Sequence, residues 1–238
     1  MKNLIIILSK NENFIKSALK IKEQSKINTK ILFIEDIVLE EINNEDIIYF
    51  LCNSPLIPDL IKKIENLSCT IFNKKYFINN YSKYQIQLIM KNNDILVPNI
   101  IDYEMLESIK FPIFCKENKH VGILFKAYNI ETLKKIFSNL NKDEFYFEED
   151  ITLNKTKTTE FKVYYVNNKC FYKDNEKVKN NELLKICKNI SSLLGLDIFS
   201  ADFIDDGNSN YLIDVNSSAG FYLSNDARYE LIKCIERI

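Results

Sequence analysis

SADFIDDGNSNYLIDVNSSAGFY, Ser200–Tyr222, reads as two strands around a polar turn, with small residues after the second strand. Alternation along a strand puts Asp214 and Asn216, two apart, on one face. Asp202 lies on the first strand. If the strands pair through the turn at Gly207, three oxygen donors converge on one spot. A magnesium ion takes such ligands: one or two carboxylates, completed by phosphate and water. Taken alone, the same three side chains read more simply as satisfying backbone groups at strand ends and turns.

Working outward, the N-terminal part reads differently from this hairpin. LIIIL, Leu4–Leu8, is a continuous apolar run, as expected for a strand covered on both faces. A helix follows with Phe14, Ala18 and Ile21 at helical spacing. Strands are predicted at Lys30–Asp36, Asp46–Cys52 and Cys69–Asn73, with a proline-started helix between the last two. This alternation predicts a small parallel α/β unit, and it has no GxGxxG, so no dinucleotide site is indicated. Beyond it, Ser82 is placed to cap a helix. FPIFCKEN and VGILFKAYN read as two strands joined by a polar turn, FYFEEDI as another, and EFKVYYVNNKCFYK as a hairpin turning at Asn167-Asn168. Helices at IETLKKIFSNL, at NELLKICKNISSLL with Gly195 as its stop, and at NDARYELIKCIERI complete an α+β second part.

Composition narrows the functional classes. With 32 basic and 33 acidic residues, nothing favours a nucleic acid or an anionic membrane as partner. None of the six cysteines forms a CxxC pair, and most sit in apolar runs, as small buried hydrophobes do. MKNLIIILSK reads as the start of a first strand, not as a signal peptide, and no apolar run approaches the ~20 residues of a membrane span. A cytoplasmic location is expected. Neither a nucleophilic Ser or Cys nor a triad is evident.

Two lysines add to the oxygen cluster. Lys83 opens a helix and Lys116 closes the strand FPIFCK, where a point charge facing a cleft suits phosphate. In this order and spacing, roughly Asn73–Tyr222 resembles the ATP-grasp superfamily, within it the carboxylate–amine ligases of the ribosomal-protein glutamate ligase type. SKYQIQLIMKNNDILVPNI looks like that family's entry helix with its phosphate lysine, Lys83, and FPIFCK like the strand carrying the second, Lys116. FYFEEDI is similar to the adenine hinge, which implies Glu148, Glu149 and Ile151. TEFKVYYV looks like the strand whose leading acid, here Glu160, holds the ribose. SADFID and LIDVNSSAGF resemble the paired metal strands, implying Asp202, Asp214 and Asn216 as ligands.

The resemblance implies a small N-terminal α/β unit (1–80) and a two-lobed ATP-grasp domain (81–146 and 147–238). It implies an ATP- and Mg²⁺-dependent ligase, with Mn²⁺ as an alternative ion, that joins a carboxylate to an amine through an acyl phosphate. Its substrates would be small molecules, peptides or a protein tail, and a homo-oligomer is compatible. Asn216 and Lys162 become the catalytic candidates, Lys162 standing where this branch often has arginine. The family's glycine-rich phosphate loop is replaced by ENKHVG, with Gly122 its single glycine and His120 the chain's single histidine. His120 is therefore either a structural or merely exposed turn residue, or a phosphate or substrate contact. Two other readings stay open: a nucleotide- or partner-binding relative without ligation, which the glycine-poor loop favours, and a metal-dependent phosphatase or nuclease. The last needs more carboxylates and histidines than this cluster offers.

Overall fold

The computed structural model describes residues 2–120, 122–153, 155, 157–172 and 180–238. They divide into two compact units, Met1–Tyr81 with Phe161–Ala201 and Val215–Ile238, and Ser82–Glu160 with Asp202–Asp214.

The first unit opens with β1 (Leu4–Leu8), α1 (Glu12–Gln24), β2 (Thr29–Phe33), β3 (Ile47–Leu51), α2 (Ile57–Lys63), β4 (Thr70–Ile71) and α3 (Lys74–Asn79). The strands form an all-parallel sheet in the order β2-β1-β3-β4. β1 and β3 are buried at every position, which is why both are written as unbroken apolar runs. Asn11 caps α1, and the helix turns Ala18 and Ile21 into the core. β2 is shorter than the sequence suggests. The chain turns after Phe33, whose carbonyl accepts from the Asp36 N–H at 3.0 Å.

The second unit contains α4 (Lys83–Lys91), β5 (Ile100–Ile101), β6 (Ile113–Glu117), β7 (Leu124–Ala127), α5 (Ile130–Phe137) and β8 (Phe145–Glu149). Its sheet is antiparallel, in the order β5-β8-β6-β7. The two faces separate by alternation. Ile113, Cys115, Ala127 and Phe147 point into a core with Leu133 of α5, and Phe125, Phe137 and Phe145 pack around it. Phe114, Lys116, Tyr146 and Glu148 are left on the opposite face.

The remaining elements are β9 (Thr159–Val166), β10 (Lys169–Tyr172), α6 (Asn181–Leu194), β11 (Ile198–Asp205), β12 (Asn210–Asn216) and α7 (Asn225–Ile235). A third sheet runs in the order β10-β9-β11-β12. Asn167 and Asn168 both take positive φ, 50° and 58°, as a two-residue hairpin turn requires. Gly195 ends α6 in the left-handed conformation, and Gly207, φ 88°, turns β11 into β12.

Asn73 carries much of the polar order in the first unit. It is buried and left-handed, φ 58°. Its amide donates to the carbonyls of Ile198 (2.6 Å) and Ser217 (2.9 Å) and accepts from the N–H groups of Asp197 (2.7 Å) and Ile198 (3.0 Å). Both donors and both lone pairs of one side chain are thereby used. The loop after Asn216 is fixed further by the Ser217 and Ser218 hydroxyls on Asn53 Oδ1, and by the Tyr49 hydroxyl donating to Ala219 O. Among the described residues no helix is long and apolar enough to cross a membrane, and the six cysteines are free.

Candidate functional site

The polar face of the second unit's sheet lines a cavity of about 300 Å³, at the lower end of the range for small-molecule pockets. Lys83, Lys116, Glu148, Glu149, Ile151, Glu160, Asp202 and Asp214 all line it. Residues from four separate stretches, 83–151 apart from the strands at 160, 202 and 214, therefore meet on one cavity inside one unit.

Lys116 stands opposite Tyr146, and Glu148 opposite Phe114, so the lysine and the glutamate are diagonal neighbours on one face. Lys116 Nζ reaches Glu148 Oε2 at 2.6 Å and the Ile213 carbonyl at 3.0 Å. Glu148 is 1% exposed. Its other oxygen, Oε1, has no hydrogen-bond partner among the described residues. Burial pushes the Glu148 carboxyl above its ordinary range, and the Lys116 ammonium works against that rise. A buried acceptor beside a cavity and short of a donor is expensive, and a ligand N–H would satisfy it.

Lys83 is the first residue of α4. Ser82 and Gln85 close a capping box, with Ser82 Oγ accepting from Gln85 N–H and Gln85 Oε1 accepting from Ser82 N–H. A cation at a helix N-terminus faces the positive end of the macrodipole. Asp214 offsets it, with Oδ1 at 3.2 Å from Lys83 Nζ.

The connector after β6 folds back on its own strand. Glu117 accepts from the Ile123 N–H at 2.9 Å and from Lys119 Nζ at 2.5 Å, which holds its carboxyl below the ordinary range. A Cβ on Gly122 would meet Glu117 Cβ at 2.8 Å, so this position requires glycine for close approach. Glu117, Lys119, Gly122, Ile123 and Leu124 all line the cavity.

The other anticipated residues lie elsewhere. His120 is half-buried in the connector and is not among the cavity's lining residues; Lys162 and Asn216 belong to the first unit. Sequence reading did not single out Phe114, Lys119, Ile123, Leu124, Ile204 or Ile213 as lining residues. The alternation of FPIFCKE already places Phe114 beside Lys116, and that signal was sufficient to find it. Ile123, just before the edge strand β7, and Leu124, its first residue, stand at least half exposed, an apolar surface facing the cavity.

The donor set suits a cation that arrives with phosphate. Asp202 and Asp214 supply two carboxylates, and among the described residues no group of three or more His, Cys, Asp or Glu is placed to hold a metal by itself. Magnesium is commonly bound by one or two carboxylates plus substrate phosphates and water.

No protein-family model matches the chain, and no curated protein matches it in sequence. Solved structures do. The D-alanine–D-alanine ligase from Bacillus anthracis complexed with ATP is 14% identical, with 100% of this chain and 97% of that chain covered and a TM-score of 0.75. The ATP-grasp ligase PsnB complexed with precursor peptide PsnA2 and AMPPNP is 12% identical, covering 99% and 96%, TM-score 0.70. A RimK domain protein from Sphaerobacter thermophilus DSM 20745 is 9% identical, covering 98% and 99%, TM-score 0.68. At these identities the likeness establishes architecture, over the whole length of the chain: it has the ATP-grasp fold.

Proposed function

We propose that the chain is an ATP- and Mg²⁺-dependent ligase that joins a carboxylate to an amine. The observation that carries this reading is the cavity itself, where Lys83, Lys116, Asp202, Asp214 and the buried, half-satisfied Glu148 converge. Lys83 and Lys116 would hold phosphate oxygens, and Glu148 Oε1 would accept a base N–H. Glu149 and Ile151 would border the base, and Glu160, exposed at its strand's start, would take the ribose. Asp202 and Asp214 would hold the cation, with Asn216 as the third ligand implied by the sequence resemblance. The bound cation would neutralise charge on the transferring phosphoryl group.

In this scheme the substrate carboxylate attacks the γ-phosphorus and ADP leaves. The amine then attacks the acyl carbon, the carbon–oxygen bond to phosphate breaks, phosphate departs, and the amine's proton passes to solvent. The protein's part is positioning and charge stabilisation, which needs no nucleophilic side chain. Support at the level of architecture comes from similar folds solved as ligases with AMPPNP, with ATP, and with Mg and ADP.

One observation favours a second reading, nucleotide binding without ligation. The connector over the cavity is short of glycine and is pinned through Glu117 to Ile123 and Lys119, so it lacks the freedom expected of a phosphate-covering loop.

Thermal unfolding tests what both readings share. A ligand that binds only the folded state at a hundredfold excess over Kd adds about 2.7 kcal/mol of stability. ATP with Mg²⁺ should raise Tm more than ATP with chelator, and either more than Mg²⁺ alone. An unchanged Tm at millimolar ATP and Mg²⁺ would remove the nucleotide from both.

A further inference from the structure

We propose that Lys83 acts as an exchangeable stand-in for the cation at Asp214, so that a divalent ion binds in the cavity only together with nucleotide. The inference rests on the ATP reading above and adds to it an obligatory coupling between the two ligands.

Lys83 Nζ lies 3.2 Å from Asp214 Oδ1, with side-chain exposures of 22% and 29%, so water screens the pair only in part. A divalent ion on Asp214 would sit beside this ammonium and be repelled by it. The cavity's other central lysine cannot take over the role, because Lys116 is committed to Glu148 and to the Ile213 carbonyl. Among the described residues Asp202 and Asp214 belong to no group of three or more His, Cys, Asp or Glu placed to hold a metal, so the ion needs further ligands such as phosphate and water.

Nucleotide changes this balance. The phosphates bring several negative charges to the start of α4, where the helix dipole and Lys83 both favour an anion. The capping box fixes the Lys83 backbone, and the flexible four-carbon stem lets the ammonium turn from Asp214 to phosphate. Asp214 is then released to the ion. By linkage, the factor by which nucleotide tightens cation binding equals the factor by which the cation tightens nucleotide binding.

The test uses Mn²⁺ on the full chain with and without AMPPNP, followed by the loss of its free-ion electron paramagnetic resonance signal beyond the loss that the same AMPPNP causes without protein. Wild type should bind Mn²⁺ weakly alone and at least tenfold more tightly with AMPPNP. Lys83→Met removes the ammonium and keeps most of the stem. It should bind Mn²⁺ alone about tenfold more tightly than wild type, bind AMPPNP less tightly in chelator, and lose most of the coupling. Lys83→Arg keeps the charge and should leave Mn²⁺ binding as weak as in wild type. If Lys83→Met does not fold, Lys83→Gln gives the same comparison. Tight Mn²⁺ binding to wild type alone, or a neutral variant whose Mn²⁺ affinity is unchanged while wild type shows coupling, overturns the stand-in role and leaves the ATP reading intact. Wild type that binds neither AMPPNP nor Mn²⁺ with it overturns both.

Discussion

Asp214→Asn is expected to lower ATP-dependent phosphate release by roughly 10²–10³-fold, the range seen when one charge-stabilising group is removed from a transfer site, while circular dichroism stays unchanged. The amide keeps the shape of the carboxylate and removes its charge. Two consequences follow from that loss. The proposed cation loses one of its two anionic ligands in the cavity, and Lys83 loses the partner that faces it at 3.2 Å. Because phosphoryl transfer rests on positioning and charge neutralisation, the effect should fall on turnover more than on nucleotide affinity. A variant that loses stability while turnover per folded molecule is unchanged would make Asp214 a partner for the helix-opening lysine and nothing more.

Lys116→Met should produce a second large effect, on stability and on nucleotide binding together. Breaking one side of a buried ion pair costs about 3–5 kcal/mol, because the remaining charge is left uncompensated. Glu148 is that remaining charge, buried and already pushed up in pKa, with Lys116 the main group holding it down. Without Lys116, burial raises the Glu148 carboxyl further, so the folded protein takes up that proton more readily than the unfolded chain, which titrates in the ordinary carboxylate range. A folded state that binds more protons loses stability as pH rises. Urea midpoints of the variant should therefore recover part of the loss as pH falls from 7 toward the ordinary carboxylate range, more steeply than those of wild type. AMPPNP binding should weaken by at least tenfold. A variant as stable as wild type at pH 7, with the same pH slope, would show that the pair is compensated by other groups.

Where periodicity is strong, the sequence was explicit. The unbroken apolar runs of β1 and β3 announced a parallel sheet, because a strand buried on both faces has no polar alternative. The alternation in FPIFCKE and FYFEE placed Lys116 and Glu148 away from the core, and their register makes them partners. Helix α3 was not anticipated. It is six residues long, lies between two left-handed asparagines, Asn73 and Asn80, and has no side-chain cap at its start. What defines it is tertiary: Asn73 is held by strand-end groups more than 120 residues away. The Lys83–Asp214 pair was equally hidden, since sequence order put one residue among phosphate lysines and the other among metal ligands. Both assignments hold a charge, and only the distance shows that the charges meet. His120 drew notice as the single histidine, in the connector that stands where the family has its phosphate loop, and it is not among the cavity's lining residues.

Isotope transfer during turnover tests the central claim most directly. Wild type would be incubated with ATP, Mg²⁺, amines, and a pool of amino acids and peptides carrying ¹⁸O in their carboxylates, and the released phosphate analysed by mass. Ligation through an acyl phosphate predicts phosphate release that requires both acid and amine, with one ¹⁸O carried from carboxylate to phosphate. Phosphate released without any acid, or free of ¹⁸O, or no release at all from a protein that binds ATP and Mg²⁺, would contradict the ligase.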